Sequence, residues 1–398
     1  MTETTTQNTT RSTDKSTDKS TEKSTQAGAD RSASNGEHKP LLEVTGLKKH
    51  FPIRGGLLRR QIGTVKAVDG VDLAVNRGET LAIVGESGCG KSTTGRTILR
   101  LEEPTDGQIV FHDAELGAVN VESADRPTMA RIRPKMQIIF QDPFASLDAR
   151  MTVGRVIAEP LLINKVLQGK ALRDRVAELL TEVGLRPEHA SRYPHAFSGG
   201  QRQRIGIARA IALNPELIIC DEPVSALDVS VQAQVINLME DLQDRLGLTY
   251  MFISHDLSVV EHISDRVAVM YVGQVVEIGT TAELFYAPKH PYTEALLQAV
   301  PQPDPRNRLE VVPLKGDVPS PASPPSGCYF HTRCPYAQQI CSDERPPLRE
   351  IKIDGKETGH QAACHFADEL HLKGAVVSSI ETVPESASAT ETAGAVTA

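Results

Sequence analysis

The chain has 398 residues, a formal net charge of −8 and 39% hydrophobic residues, enough for one large domain with additions or for two domains around a real core. The acidic balance gives no support to nonspecific nucleic-acid binding, and no run approaches the ~20 apolar residues that cross a bilayer. The polar, threonine-rich N-terminus lacks the apolar stretch of a secretory signal, so a cytoplasmic chain with reduced cysteines is expected.

Residues 1 to about 38 are dominated by Thr, Ser, Lys, Asp and Glu, with a near-repeat Ser-Thr-Asp-Lys at 12–15 and 16–19. Such a segment buries too little apolar surface to offset its ordering entropy, and a disordered tail is expected. Order begins near Leu41. Leu42-Glu43-Val44 reads as a strand, followed by Phe51 and a basic loop with Arg54, Arg59 and Arg60. Val65–Val68 and Val71–Val75 read as further strands, and together they suggest an antiparallel sheet beside whatever follows. By residue type Phe51 is a core candidate, although an aromatic there can also stack on a planar ring.

Leu81–Val84 is a short apolar run, as a buried strand requires. It ends in Gly85-Glu86-Ser87-Gly88-Cys89-Gly90-Lys91-Ser92, which matches the phosphate loop G-x-x-x-x-G-K-[ST]. The glycines let backbone N–H groups wrap a triphosphate. The helix expected from Thr93 to Leu101, closed off by Pro104, points its positive end at the same anion. Lys91 is expected on the β- and γ-phosphates and Ser92 on Mg²⁺.

Gly107–Phe111 reads as a strand, 113–128 as irregular, and Met136–Phe140 as an apolar strand ending in Gln141-Asp142-Pro143. A Gln at that strand end can ligate Mg²⁺ or hold a water. Residues 152–185 carry helical spacing through Leu161, Leu162, Val166, Leu167, Val176, Leu179 and Leu180. Ser198-Gly199-Gly200-Gln201 is a small turn ahead of a helix expected over Gln203–Leu213. Its hydroxyl, backbone N–H groups and helix N-terminus form a second phosphate-type site.

Leu217–Cys220 is another buried-strand run. It ends in Asp221 and Glu222, the first placed to hold Mg²⁺ and the second to polarise a water. Ser225–Asp228 and a helix over 231–245 follow. Thr249–Ile253 leads to Ser254-His255-Asp256, where His255 can contact a γ-phosphate. Val267–Tyr271 and Gln274–Ile278 read as a hairpin around Gly273, and His290-Pro291-Tyr292 opens a short helix through Val300. From Pro301 proline thickens, which marks a linker into a small C-terminal module.

In that module Cys328, Cys334, Cys341 and Cys364 fit a metal site, but their spacing is neither the ferredoxin run nor the paired C-x₂-C of zinc ribbons. Zinc, an iron–sulfur cluster and reduced structural thiols all stay open on spacing, and His331, His360 and His365 keep a mixed Cys/His zinc site in view. Cys89 and Cys220 are isolated. The C-terminal residues, rich in Ser, Thr, Ala and Glu, read as a second disordered tail.

The motif set from about 41 to 300 resembles the ATPase subunits of ATP-binding cassette (ABC) transporters. Gly85–Ser92 looks like Walker A, Gln141 the Q-loop, Ser198–Gln201 the signature, Leu217–Asp221 Walker B, Ser225–Asp228 the D-loop and His255 the switch histidine. The signature discriminates, since other P-loop families lack it; Phe197 replaces the usual Leu before it. The resemblance implies an α/β fold: a P-loop core, an antiparallel β subdomain, a helical subdomain at about 143–200 and a small C-terminal module. It divides the chain into tails at 1–38 and 371–398, a nucleotide-binding domain at 39–295 and the module at 296–370.

It further implies ATP and Mg²⁺ as cofactors. Phe51, the loop Gly85–Ser92 with Thr93, Asp221 and the signature of a second copy surround the nucleotide. Ser92, Gln141 and Asp221 serve the metal, while Glu222, His255 and Gln141 serve catalysis. Two such domains dimerise head to tail, and Gln141 links the site to a helical-subdomain cleft that receives a permease helix.

Within the family, Leu47–Ile53, Gly85–Gly90, Ala287–Thr293 and the tail from Pro319 to His365 are similar to oligopeptide and dipeptide importers, and to the second of their two ATPase subunits. That implies two integral-membrane permeases, a second ATPase subunit (a heterodimer, or a homodimer), an extracytoplasmic substrate-binding protein, no nucleic acid, and a peripheral place on the cytoplasmic face of the cell membrane. Some members carry a [4Fe–4S] cluster in this C-terminal region, which puts Cys328, Cys334, Cys341 and Cys364 forward as its ligands. A nickel or other small-solute importer, and a soluble cassette ATPase, are the alternatives.

Overall fold

The computed structural model describes residues 40–55, 60–299, 316–353 and 356–375. The tail expected at 1–38, most of that expected at 371–398, and the first part of the proline-rich stretch lie outside the described residues.

The chain opens with a long hairpin of β1 (Leu42–Gly55) and β2 (Arg60–Val75). β3 (Thr80–Val84) leads into α1 (Lys91–Ile98), and β4 (Asp106–Asp113), β5 (Gly117–Asn120), α2 (Arg126–Ile132) and β6 (Met136–Ile139) follow. A helical layer comes next: α3 (Val153–Ile163), α4 (Gly169–Glu182) and α5 (Gly199–Ile211). Then come β7 (Leu217–Asp221), α6 (Val229–Leu246), β8 (Thr249–Ile253), α7 (Leu257–Ile263), β9 (Arg266–Tyr271) and β10 (Gln274–Thr280). The described chain closes with α8 (Thr281–Tyr286), α9 (Pro291–Gln298), α10 (Gln339–Asp343), β11 (Arg349–Ile353) and β12 (Lys356–Ala362).

Two sheets organise these elements. One is antiparallel, in the order β2-β1-β4-β5; the other runs β11-β12-β10-β9-β3-β8-β7-β6. Its centre is parallel: β3 pairs with β9 and β8, and β7 with β8 and β6. Every residue of β3, β7 and β8 is buried. Strands covered on both faces read as continuous apolar runs, which is why Leu81–Val84, Leu217–Cys220 and Thr249–Ile253 were legible. The parallel arrangement brings the C-terminal ends of β3, β7 and β8 to one edge, where α/β sheets bind ligands.

The structure departs from the sequence reading in several places. The strands expected at Val65–Val68 and Val71–Val75 are one strand, β2, with an irregular register where Gly70 takes φ +85°. β1 continues through the stretch read as a loop, because β2 supplies its partner out to Gly55↔Arg60. The irregular stretch 113–128 holds β5 and the start of α2. The helical stretch 152–185 is two helices, with Leu161, Val176, Leu179 and Leu180 buried but Leu162 and Val166 exposed. α5 starts at Gly199 rather than Gln203, because Ser198 and Gln201 form a reciprocal capping box.

The C-terminal module is joined to the core rather than set apart. β12 pairs with β10 through Glu277↔Ala362 and Ile278↔Gln361, extending the central sheet. Tyr329 and Phe330 share one apolar cluster with Tyr271, Tyr292 and Val84. Chain order also reaches past the boundary expected at 370: Lys373 donates its N–H to Glu294 Oε1 (2.8 Å) and Ala375 to the Phe285 carbonyl (2.7 Å).

Candidate active site

The turn between β3 and α1 is built so that only glycine fits at its two ends. Gly85 has φ +150°, and a Cβ there would lie 2.2 Å from the Met270 carbonyl oxygen. Gly90 has φ +109°, and its Cβ would lie 2.1 Å from the Ala67 carbonyl oxygen. The loop is thus wedged between β2 and β9, and α1 begins directly behind it with Gly90 as its N-cap. Lys91 is buried and curls back over the loop, donating from Nζ to the carbonyls of Gly85 (2.7 Å) and Glu86 (3.1 Å). Ser87 and Gly88 are exposed at the loop tip, while Cys89 is buried under it, where burial pushes its thiol pKa up.

The ends of β7 and β8 bring the expected acids to this loop. Asp221 is buried, and its Oδ1 accepts from the Ser92 hydroxyl at 2.5 Å. Its Oδ2 accepts from Arg96 at 3.2 Å. The hydroxyl and carboxylate that a Mg²⁺ ion needs therefore already face each other. Glu222 follows in a strained backbone, φ +48°. One oxygen of its carboxylate, Oε2, accepts from Gln141 Nε2 (2.8 Å) and faces His255 Nδ1 (3.2 Å). The three residues expected to serve catalysis meet at a single oxygen atom. Gln141, also expected on the metal, is paired here with Glu222 rather than with Asp221.

Phe51 is 36% exposed on β1, with Lys49 Nζ 4.7 Å from its ring centroid, so it is a surface platform and not the core residue its type suggested. Ser198 is exposed, Gly199 and Gln201 are half-buried, and the side-chain oxygen of Ser198 accepts from the Gln201 N–H. Gly200 sits where a Cβ would meet Val231 at 2.3 Å, and Phe197 is buried in the core of the helical layer. Thr93 lies in the first turn of α1, half-buried.

A strand–glycine loop–helix unit, paired acids at the end of β7, one strand beyond β8, the neighbour of β3, and a capped serine turn on a separate helix constrain the family closely. The ABC transporter family model matches residues 68–225, and that of the oligopeptide/dipeptide transporter C-terminal region matches 276–341. The oligopeptide transport ATP-binding protein AppF of Bacillus subtilis is 55% identical, over 82% of this chain and 97% of its own. The chain belongs to the ABC transporter ATPases. The dipeptide transport ATP-binding protein DppF of Haemophilus influenzae is 52% identical, over 80% of this chain and 96% of its own. Among solved structures, the dimeric bacterial ABC transporter cassette MJ0796 superposes with a TM-score of 0.53 at 27% identity, over 60% of this chain and 98% of that one.

This ABC ATPase carries its four C-terminal cysteines around one cavity. Cys328, Cys334, Cys341 and Cys364 line it together with His290 and Phe330, and the cavity is small, about 20 Å³. Burial pushes the Cys334 thiol up to about 12 and Cys364 up to about 11, and the neighbouring cysteines add repulsion between would-be thiolates. A bound cation would relieve that repulsion. Among the described residues, however, no group of three or more His, Cys, Asp or Glu side chains is gathered to hold a metal ion, so the arrangement supports neither a zinc site nor an iron–sulfur cluster. His360 is committed elsewhere, with Nε2 2.7 Å from Glu277 Oε1.

Several residues of the site escaped the sequence reading. Arg96 reaches Asp221 because it stands one helical turn after Ser92 on the same face of α1. That spacing was readable. Tyr292 and Arg333 reach Glu86 from far down the chain, and no local pattern announces them.

Proposed function

We propose that this ATPase powers import of oligopeptides or dipeptides, working on the cytoplasmic face of the cell membrane with two permease subunits. A second ATPase subunit completes the dimer, and an extracytoplasmic substrate-binding protein delivers the peptide. The observation that carries this reading is the peptide-transporter C-terminal region at 276–341, continuous with a complete nucleotide motif set and shared with relatives named for peptide transport. A nickel or other small-solute importer would use the same ATPase chemistry but has no such support here. Among the described residues no helix is long and apolar enough to cross a membrane, as suits a subunit that relies on permease partners.

The proposed chemistry uses charge and position. Lys91 leaves the loop carbonyls for the β- and γ-phosphates. Ser92 and Asp221 would hold Mg²⁺, which would neutralise phosphate charge there, and Phe51 would stack on the adenine. Glu222 orients and activates the attacking water, while Gln141 and His255 fix its carboxylate and report the γ-phosphate. The Ser198–Gln201 turn, with Ser198 exposed at the N-terminus of α5, meets the γ-phosphate bound by the partner subunit. Phe144, three residues after Gln141, is 61% exposed and lies under the Arg202 guanidinium, which suits a surface that receives a permease helix.

We also propose that Cys328, Cys334, Cys341 and Cys364 ligate a [4Fe–4S] cluster. What supports it is the family resemblance of this region together with all four cysteines lining one small cavity. A cluster bound there would tie the last module's segments together. Cys334→Ser is expected to lose the bound iron; iron content equal to wild type would remove Cys334 as a ligand.

The transport reading is tested by affinity purification of the tagged chain from detergent-solubilised membranes. Two permeases and a second ATPase should co-purify in stoichiometric amounts. Recovery of soluble partners alone would overturn the transport role and leave the ATPase chemistry intact.

A further inference from the structure

Glu86 stands inside the phosphate loop, half-buried. Its carboxylate is gripped by Arg333 of the C-terminal module: Nη1 lies 3.3 and 3.1 Å from Oε1 and Oε2, and Nη2 lies 3.2 Å from Oε1. The Arg333 side chain is only 8% exposed, and its Nη1 also donates to the Tyr271 hydroxyl at 3.4 Å. The Glu86 backbone N–H donates to the Tyr292 hydroxyl at 2.9 Å, and the Glu86 carbonyl accepts from Lys91. Tyr271, Tyr292 and Phe330 pack against one another in tilted and edge-to-face pairs with centroids 4.5 to 5.4 Å apart, so both anchors are set beside one aromatic cluster.

The same module grips the other end of the site. The Tyr329 hydroxyl donates to Asp69 Oδ2 (3.0 Å), and Arg345 stands 3.7 Å from the same oxygen. Asp69 Oδ1 lies 3.0 Å from His50 Nε2, next in the chain to Phe51. Asp69 is buried, and its N–H donates to Gly273, whose own N–H donates to the Cys89 carbonyl in the loop. A fork-shaped, partly desolvated guanidinium–carboxylate pair fixes geometry as well as charge. Here it fixes a loop whose backbone must match a triphosphate.

We propose that Arg333 and Tyr292 are positioning residues for ATP: acting through Glu86, they hold the phosphate loop in its binding shape, and the C-terminal module is thereby part of the nucleotide site. This rests on the reading of Gly85–Ser92 as the ATP site. The module's attachment then serves nucleotide binding directly, beyond any role in marking a peptide importer.

The test titrates Mg²⁺ and a fluorescent ATP analogue into the full-length chain and records the thermal midpoint of each variant without nucleotide. Arg333→Gln and Glu86→Gln should each weaken binding about tenfold, and the double variant should be no weaker than either alone. Tyr292→Phe keeps the buried ring and loses only the acceptor, so it folds as wild type does; it should weaken binding about fivefold. Affinity within twofold of wild type in all three, with or without a lowered midpoint, would reduce the contact to fold support and overturn the proposal. Lys91→Ala separates the two readings. If it loses binding while the other variants keep it, only the clamp fails; if it binds as wild type, the ATP-site reading fails first.

Discussion

At Glu222 the backbone adopts a left-handed conformation that a glutamate holds only when its surroundings impose it. The imposition is visible: its N–H donates to the Ile253 carbonyl at the end of β8 (3.0 Å), and its carboxylate is met by Gln141 and His255. Glu222→Gln should keep ATP binding and lower turnover by about 10²- to 10⁴-fold, the usual worth of a general base; unchanged turnover would take Glu222 out of that role. Asp69 carries the pH prediction. Burial works to raise its pKa, but the Tyr329 hydrogen bond, Lys66, His50 and Arg345 outweigh burial and hold it below the ordinary 3.8. A carboxylate with a depressed folded pKa stabilises the protein above its unfolded value and loses that contribution as pH falls through the folded one. Wild type should therefore exceed Asp69→Asn in thermal midpoint at neutral pH, with the gap closing below about pH 3.8. Lys91, Ser92, Asp221, Glu222, Gln141 and His255 were readable because each sits at a fixed offset from an apolar strand. Asp69 had no such marker, since its partners lie as far away as residue 345.

At the scale of elements, the unit from β3 through the loop to α1 was legible because strand, glycines and helix agree locally. It is also intolerant of change. Gly90→Ala would drive a Cβ into the Ala67 carbonyl at a φ that alanine resists, so it should cost about 3 kcal/mol or more of stability, read by chemical denaturation. α8 was missed although Thr280 and Glu283 form a capping box that the T-x-x-E spacing announces. α7 is short, with Leu257, Val260 and Ile263 its buried residues, and seven residues carry too little periodicity to stand out. β1 beyond Val44 and β2 before Val65 were unreadable for a different reason: their strand character comes from pairing with each other, not from either sequence alone.

For the whole molecule, the proline-rich stretch suggested a module hung on a linker, but β12 extends the central sheet and Arg333 reaches the phosphate loop. Composition marks where a chain stops packing locally; it says nothing about where the chain returns. The return matters for function, because it ties the peptide-transporter C-terminal region to the ATP site. Truncation before Pro319 should therefore lower ATP affinity in what remains soluble, rather than leave an intact cassette. On this reading, ATP turnover at this site moves peptide. The most direct measurement is accumulation of a labelled oligopeptide in proteoliposomes holding the complete purified assembly, with ATP on the side of this subunit. Accumulation should require hydrolysable ATP and fall to background when this chain carries Lys91→Ala. Peptide accumulation that is indifferent to ATP, or ATP turnover with no peptide moved, would contradict it.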